Sequence, residues 1–289
     1  MELAIFGNEY QHGHLPGVER LLATLSASGM RLLVDGAFMA YLRQSGAALP
    51  PRTEIIGGNC GPDGVDVVLS LGGDGTFLKA AHWVAGTATP VMGINTGHLG
   101  YLTTAGIGEA DEVARELTSG DYRTEPRTTL QVTADCSAAD ISGLCALNEV
   151  AILRQDTSSM IAMRTVVNGS ELTTYKGDGL VVCTPTGSTA YNMSVGGPIL
   201  DPMNSCLVLS PVSPHSLSMR PLVMRDDVTV AVTTVTRARA FQVSVDGNAV
   251  LCPSGTTVTI RRSPTAIRVI QRTGHNFAAT LRSKLNWGV

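Results

Sequence analysis

The sequence lacks a long hydrophobic run, a large net charge and any C-x-x-C pair. No run of about 18 apolar residues occurs in its 289 residues, so no transmembrane helix is expected. The first residues, MELAIFGNEY, show no basic region followed by an apolar segment, so no secretory signal is expected. Charged residues make up 16% and the formal net charge is -3, which argues against bulk binding to nucleic acid or anionic membranes. We therefore expect a cytoplasmic protein.

Cysteine and aromatic residues are also sparse. The six cysteines are widely spaced, so zinc and redox sites of the C-x-x-C type are not indicated, and we interpret the cysteines as reduced thiols. Aromatic residues make up only 4% while glycines number 31, which favours aliphatic packing and many tight turns.

The pattern of hydrophobic residues divides the chain into three parts. Residues 1–123 alternate short apolar runs with segments of helical periodicity, which predicts an α/β domain with a mainly parallel sheet. Residues 124–270 carry short β-branched runs separated by turn signals, which predicts a β-rich, sandwich-like domain. The tail 271–289 returns to a helical pattern, and we expect it to pack back on the first domain.

The strongest candidate site is LSLGGDGTFLKAA, where an apolar run meets GGDG and then a helical pattern. A glycine-rich turn between strand and helix binds anions through backbone N–H groups, although neither the P-loop nor the G-x-G-x-x-G fingerprint fits. A hairpin through the Asp-Gly pair is the alternative. The helix formers that follow, with Thr76 placed as N-cap, favour the helix.

An aspartate in such a loop needs a task of its own. Asp74 would repel bound phosphates unless it accepts a proton from an attacking hydroxyl or helps to hold a metal that bridges them. Both roles belong to phosphoryl transfer. Lys79, one turn into the helix, is a candidate for neutralising phosphate charge, and a solvated helix face is its alternative.

Polar groups also crowd the segment TPTGSTAYNMS around Tyr191, which suits recognition of a sugar and a stacked base. A helix start capped by Ser188 or Thr189 is the alternative. Asn148 and Glu149 interrupt an apolar strand, and adjacent side chains of a strand point to opposite faces. At least one is therefore directed inward and needs a partner such as a ribose diol, unless the pair lies at a bulge or strand end.

Two further Asp-Gly pairs lie in the strand-rich part of the sequence. Asp178 leads into a strand, where an ordinary turn is the alternative to a ligand contact. Asp246 has strand signals on both sides, which predicts a hairpin.

From about Val65 to the C-terminus the chain resembles the NAD kinase family, ATP-dependent enzymes that phosphorylate the adenosine 2′-hydroxyl of NAD. The resemblance is carried by SLGGDGTFLKAA, GINTGHLGYL, ALNEV, DGLVVCTPTGSTAYNMSVGGPIL, SPHSLSMRPLV, VSVDGNA and LRSKLNWG, in that order. It implies that Asp74 is the proton acceptor for the hydroxyl. It also implies a divalent ion, expected to be Mg²⁺, that bridges ATP oxygens, with no protein ligand assigned to it.

The resemblance further implies binding residues. Phosphate or ATP contacts are expected at Gly72, Gly73, Gly75, Thr76 and Lys79. NAD contacts are expected at Asp74, Gly75, Asn148, Glu149, Lys176, Asp178, Thr189, Ala190, Tyr191, Asn192, Met193, Ser194 and Asn248. Lys176 stands where many members have arginine and lacks its planar fork; Asn248 stands where glutamine is frequent.

Members of this family have active sites made partly between subunits, which implies a homo-oligomer, either a dimer or a tetramer. Two alternatives are weighed against this interpretation. One is another GGDG-type kinase acting on a lipid or a sugar phosphate. The other is a non-catalytic protein that senses NAD(H), against which the presence of Asp74 argues.

Overall fold

The computed structural model describes residues 1–9, 13–57, 61–97, 100–136, 141, 143–156, 160–274 and 276–285. The chain divides into two compact units, Met1–Pro126 with Ile267–Val289, and Arg127–Ala266. We call them unit 1 and unit 2. The domain limits at 123/124 and 270/271 stay predictions.

The described residues contain six α-helices, two short 3₁₀ turns and twenty strands. The helices are α1 Leu15–Ala27, α2 Gly36–Gln44, α3 Asp74–Trp83, α4 Ala110–Ser119, α5 Tyr191–Ser194 and α6 Phe277–Leu285, and the 3₁₀ turns are Pro62–Gly64 and Thr186–Thr189. The first strands are β1 Glu2–Gly7, β2 Arg31–Val34, β3 Glu54–Ile55, β4 Val67–Leu71, β5 Val91–Asn95, β6 Ala105–Gly106 and β7 Tyr122–Arg127. The strands of unit 2 are β8 Leu130–Ala134, β9 Cys145–Ala146, β10 Glu149–Arg154, β11 Ile161–Val167, β12 Ser170–Gly177, β13 Gly179–Cys183, β14 Cys206–Val212, β15 Leu222–Arg225, β16 Thr229–Val235, β17 Ala240–Val245, β18 Asn248–Pro253 and β19 Thr257–Arg262. The last strand is β20 Ile267–Arg272.

Unit 1 is built on one sheet with the strand order β3-β2-β1-β4-β5-β20-β7, and β6 pairs with β5. The pairs among β1, β2, β3, β4 and β5 are parallel, and so is the pair of β20 with β5. This confirms the predicted α/β fold. β1 lies between β2 and β4. The chain therefore adds β2 and β3 on one side of β1 and β4 and β5 on its other side, so the strand order reverses at β1. Ligands of open α/β sheets bind at such a switch point, beyond the carboxyl ends of the strands.

The helices of unit 1 follow from local sequence. In α1, Val18, Leu21, Leu22 and Leu25 recur at helical spacing and are all buried in the unit 1 core. Helix α4 stops at Gly120, because this glycine adopts the left-handed conformation that closes a helix, with φ 72°.

Unit 2 consists of two antiparallel sheets, in the orders β15-β14-β13-β10-β17-β18 and β12-β11-β16-β19-β8-β9. Alternate residues of each strand face a shared core: Val150 and Ile152 of β10 lie with Met163 of β11 and Val230 of β16. The predicted β-rich, sandwich-like fold is confirmed. Residues of opposite parity, such as Ala151, face away from this core and pack in a second, smaller cluster that includes Tyr191.

Periodicity along the chain does not indicate which sheet β20 joins: this strand lies in the sheet of unit 1 between β5 and β7, far from its sequence neighbours. The expected cap at Thr76 is wrong: α3 begins at Asp74 and its N-cap is Gly73, so Thr76 lies inside the first turn. No helix among the described residues is long and apolar enough to cross a membrane.

Candidate functional site

The GGDG loop lies at the switch point of the unit 1 sheet. The carboxyl ends of β1 and β4 meet there, and a cavity of about 520 Å³ opens beside them. Its lining includes Gly73, Gly75, Thr76 and Lys79 of the predicted phosphate-binding set. Gly72 has φ 152°, a conformation that side chains disfavour, and a Cβ there would press on Thr76. The first turn of α3 thus presents its backbone N–H groups at this edge, where a helix N-terminus attracts anions.

Asp74 is held in one orientation by the chain that follows β5. The backbone N–H of Tyr101 donates to Oδ2 at 2.9 Å, and that of Leu102 donates to Oδ1 at 3.0 Å. A Cβ at Gly100 would overlap the carboxylate, so glycine is needed for this close approach. Each oxygen accepts one of these bonds and keeps capacity for another. The carboxylate is therefore fixed and still able to accept from a ligand.

Thr76 and Lys79 are engaged within the protein. Asn8 Nδ2 donates to the Thr76 hydroxyl at 2.9 Å, which ties the end of β1 to α3. The Lys79 ammonium contacts Asp35 at 2.7 Å and lies 5.7 Å from the centroid of the Phe6 ring. A phosphate bound in the cavity would share this ammonium with Asp35, so the role of Lys79 stays a prediction.

In unit 2, Asn148 and Glu149 lie in a backbone segment clamped by two side chains. Asp246 accepts hydrogen bonds from the backbone N–H groups of Leu147, Asn148 and Glu149 at 2.7, 2.9 and 3.0 Å. On the other side, the Thr184 hydroxyl donates to the carbonyl of Leu147 at 2.6 Å. The backbone from 147 to 149 is therefore fixed before any ligand binds.

The hairpin predicted at Asp246 is observed, since β17 and β18 pair with Val245 opposite Asn248. Asp246 itself has φ 46° and Gly247 has φ 87°, as the tight two-residue turn requires. The Asp-Gly pair predicts the turn, but it does not predict that the Asp246 carboxylate accepts three backbone hydrogen bonds. The three donors belong to a segment about a hundred residues earlier in the chain.

Glu149 shares the outer face of its sheet with Ala151, while its neighbour Asn148 is buried. Burial and, less strongly, the nearby Asp246 charge raise the pKa of Glu149 from 4.5 to about 7, while a hydrogen bond from the backbone N–H of Tyr191 opposes the shift. Oε2 is buried and has no hydrogen-bond partner within the described structure. This oxygen is available to a hydroxyl donor such as a ribose.

The segment TPTGSTAYNMS forms the 3₁₀ turn Thr186–Thr189 followed by α5, and neither Ser188 nor Thr189 caps the helix. Tyr191 packs over the outer face of β10 and β13. The Asn192 amide is fully buried: it donates to the carbonyls of Ser188 and Pro198, each at 3.0 Å, and accepts from the Ser210 hydroxyl at 2.6 Å. Asn192 thus fixes the segment, and its predicted contact with NAD stays a prediction.

The remaining predicted residues are spread out. Thr189, Ala190, Met193 and Ser194 flank Tyr191 and are partly buried or exposed; Asn248 is exposed beside the Asp246 turn. Asp178 lies between β12 and β13, and its carboxylate contacts Arg154 at 3.0 Å.

The strand register separates Asp178 from Glu149. In the β10–β13 pair, Glu149 lies opposite Cys183 and Leu153 opposite Gly179. Asp178 is therefore about 17 Å from Glu149 along the strands, five residues at ~3.4 Å each. The exposed Lys176 belongs to the same distant end. One chain thus brings Asn148, Glu149, Tyr191 and Asn248 together but leaves Lys176 and Asp178 apart from them.

The described residues contain no group of three or more His, Cys, Asp or Glu side chains placed to hold a metal ion. His98, in the motif GINTGHLGYL, lies outside the described residues.

Removal of the Asp246 carboxylate is expected to weaken the fold. Asp246→Ala leaves three backbone donors without their acceptor, which we expect to lower the free energy of unfolding by about 2–4 kcal/mol. Asp246→Asn keeps one acceptor oxygen and should cost less. Urea denaturation of both variants measures the loss, and equal stability of Asp246→Ala and the unmodified protein would contradict the clamp.

The raised pKa of Glu149 makes a prediction about pH. The native state binds this proton more tightly than the unfolded state, so its contribution favours folding below pH 4.5 and is lost as pH rises through about 7. Glu149→Gln should therefore gain stability over the unmodified protein, on the order of 2–3 kcal/mol at pH 8. At pH 4.5 the two should differ little, which serves as the control. Thermal unfolding across this range tests it, and a difference independent of pH would refute it.

Comparison with known proteins agrees with this geometry. Residues 3–122 match the family model described as the ATP-NAD kinase N-terminal domain, and residues 147–272 match the ATP-NAD kinase C-terminal domain. The chain is 42% identical to an NAD kinase of Bacteroides fragilis over 288 residues, covering 100% of this chain and 98% of the relative. It is 39% identical to an NAD kinase of Porphyromonas gingivalis over 287 residues, covering 99% and 98%.

Solved structures give the same result. An NAD kinase from Archaeoglobus fulgidus in complex with ATP superposes with a TM-score of 0.71 at 26% identity, covering 98% of this chain and 99% of that one. Yeast NADH kinase complexed with NADH has a TM-score of 0.89 at 21% identity, covering 100% and 88%, and shares the fold. With both domains matched in order and relatives above 30% identity along the whole chain, the chain belongs to the NAD kinase family.

Proposed function

We propose that this protein transfers the γ-phosphoryl group of ATP to the adenosine 2′-hydroxyl of NAD, with Asp74 as the proton acceptor. The observation that carries the proposal is the Asp74 carboxylate, fixed by two backbone N–H groups in the first turn of α3, whose flanking residues Gly73, Gly75 and Thr76 line the cavity. Anion binding and proton acceptance are the two tasks of a phosphoryl transfer site.

The reaction forms a bond between the 2′-oxygen and the γ-phosphorus and breaks the bond to the bridging oxygen, so that ADP leaves with the electron pair. The hydroxyl proton passes to Asp74. A general base contributes roughly 10²–10⁴-fold to such a step. Because two backbone donors already orient this carboxylate, no reorganisation is needed when the hydroxyl arrives.

A divalent cation belongs to this chemistry, and we propose that it is Mg²⁺ entering with ATP. No group of three or more His, Cys, Asp or Glu side chains among the described residues is placed to hold a metal ion, which fits an ion held by substrate phosphates and water rather than by a protein cage. The ion supplies charge neutralisation on the phosphate oxygens. Gly72, Gly73, Gly75, Thr76 and Lys79 contribute the anion-binding edge.

We propose that NAD is bound by unit 2 through Asn148, Glu149, Tyr191 and Asn248, with Thr189, Ala190, Asn192, Met193 and Ser194 shaping the same surface. The buried Oε2 of Glu149, which has no hydrogen-bond partner among the described residues, supports a contact to a ribose hydroxyl. A Cβ at Gly187 would overlap the backbone of Asn148, so the glycine allows the 3₁₀ turn to approach this surface.

We further propose a cytoplasmic homo-oligomer, a dimer or tetramer, in which Lys176 and Asp178 serve the dinucleotide site of another copy. The separation of about 17 Å between Asp178 and Glu149 within one chain supports this arrangement. The alternatives considered for the chain, another GGDG-type kinase and a non-catalytic NAD(H) sensor, are not favoured, because both NAD kinase domains match.

The direct assay combines the purified protein with ATP, Mg²⁺ and NAD and scores NADP with an NADP-specific dehydrogenase. NADH, polyphosphate and other divalent ions replace one component at a time. Diacylglycerol and sugar phosphates serve as negative acceptors. NADP formation supports the proposal, while phosphorylation of a lipid or sugar alone would overturn it.

Asp74→Asn is expected to lower turnover by about 10²–10⁴-fold, because the amide cannot take the hydroxyl proton. Dinucleotide binding should stay nearly intact, since the amide has almost the same shape. Turnover comes from the NADP assay and affinity from calorimetry. Near-normal turnover would exclude Asp74 as the proton acceptor.

Asn148→Ala and Asp178→Ala are each expected to weaken NAD binding by roughly 10-fold or more, because each loses a hydrogen bond to the ligand. Calorimetric titration with NAD measures the change. Unchanged affinity in both variants would contradict their placement.

Mixing these two variants tests the shared site. If Asn148 and Asp178 of different copies contact one dinucleotide, randomly mixed dimers recover about a quarter of unmodified sites. If both residues of one copy serve one site, mixing recovers nothing.

A further inference from the structure

Helix α6 ends at Leu285, and the described part of the motif LRSKLNWG, residues 281–285, has no task in the reaction described above. Within it, Arg282 is exposed, whereas the Nζ atom of Lys284 is buried and has no hydrogen-bond partner in the described part of the chain. An ammonium has three donors and no acceptor. A buried ammonium without a hydrogen-bond acceptor is costly, so its position calls for a bound acceptor.

Lys284 and the Asp74 carboxylate share a neighbour, Tyr101, and interact with each other. Its Nζ lies 5.3 Å from the centroid of the Tyr101 ring, and it interacts electrostatically with Asp74. Tyr101 is the residue whose backbone N–H orients Asp74. The Tyr101 hydroxyl is also buried and without a hydrogen-bond partner in the described part of the chain. Two buried donors without acceptors therefore accompany the carboxylate that is proposed to take the proton.

The chemistry of this set defines its partner. The partner must offer several acceptor oxygens, because both the ammonium and the phenol lack one. It must carry negative charge, because only an anion compensates the burial of an ammonium beyond what the Asp74 carboxylate provides. A phosphoryl group has three such oxygens and develops charge on them during transfer.

We propose that Lys284 is a catalytic residue whose ammonium donates hydrogen bonds to the oxygens of the phosphoryl group being transferred at Asp74. This inference rests on the proposed role of Asp74. Lys284 keeps its proton throughout: the 2′-oxygen bonds to phosphorus, the bridging oxygen leaves with ADP, and the hydroxyl proton goes to Asp74. The ammonium stabilises the charge on the non-bridging oxygens of the transferred phosphoryl group.

The charge state of Lys284 agrees with this role. Burial lowers the pKa of Lys284 to about 8, and the Asp74 carboxylate opposes the shift. Burial, and then the Asp74 charge, raises the pKa of Tyr101, so the phenol stays neutral. At pH 7 the ammonium is mostly protonated, and it loses its charge as pH rises through about 8. Asp74 and Tyr101 are the titratable groups shown to face it.

The test uses the full-length protein with Lys284→Met, Lys284→Arg and the matched control Arg282→Met from the exposed side of the same helix. Lys284→Met is expected to lower kcat about 10²–10³-fold, as loss of one donor to a developing charge does. The calorimetric affinity for NAD should change less than about 3-fold, because the contact forms mainly in the transition state. Lys284→Arg should recover kcat to within about 10-fold, and Arg282→Met should stay within about 2-fold of the unmodified protein.

Thermal unfolding separates this role from a structural one. Replacing a buried, unpaired ammonium by an apolar side chain of similar length is expected to leave the melting temperature unchanged or to raise it. A fall of melting temperature together with kcat, without recovery in Lys284→Arg, would assign Lys284 to the fold and overturn the proposal. So would a Lys284→Met enzyme that keeps a third or more of its kcat.

The pH dependence of kcat/KM, which reports the free enzyme, gives an independent readout. The unmodified protein should lose activity above about pH 8, and Lys284→Arg should not, because arginine keeps its charge. An identical alkaline limb in both would contradict the role of Lys284. Asp74→Asn is run in parallel: normal turnover there with a loss in Lys284→Met would sink the proposed base and leave the Lys284 contact standing.

Discussion

The two hydrogen bonds that the backbone of Tyr101 and Leu102 donates to Asp74 organise the site of unit 1. They join the start of α3 to the chain after β5, so that the glycine loop and this segment share one carboxylate. A helix N-terminus attracts any anion. In the proposed reaction, the fixed carboxylate favours a ligand that brings both a phosphate group and a hydroxyl proton that Asp74 can accept.

In unit 2 a carboxylate is likewise bound by backbone N–H groups, with a different consequence. Asp246 accepts from three consecutive backbone N–H groups and holds Asn148 and Glu149 in place. The consequence is electrostatic, because the fixed Asp246 charge and burial together raise the pKa of Glu149 to about 7. In both units a carboxylate bound to backbone amides fixes the geometry. Only for the carboxylate of unit 1, Asp74, do we propose a direct role on the substrate.

Local sequence predicted the α/β and β-rich fold classes and the turn at Asp246, because each depends on periodicity or on turn residues. It did not predict that β20 joins the first sheet, since that pairing spans most of the chain. The motifs indicated Asp74 and Glu149. Motifs could not reveal that Asp178 lies at the far end of β13, because strand register sets that distance. Nor could they reveal that the Lys284 ammonium is buried with no hydrogen-bond partner among the described residues.

The central claim is that Asp74 meets the 2′-hydroxyl of NAD. A crystal structure of the protein with NAD and a non-hydrolysable ATP analogue tests it most directly, through the distance from the Asp74 carboxylate to the adenosine 2′-oxygen. We expect a hydrogen bond of about 2.6–3.2 Å, with the bonds from Tyr101 and Leu102 retained. A separation above about 4 Å without a bridging water, with another side chain bound to that hydroxyl, would contradict the account.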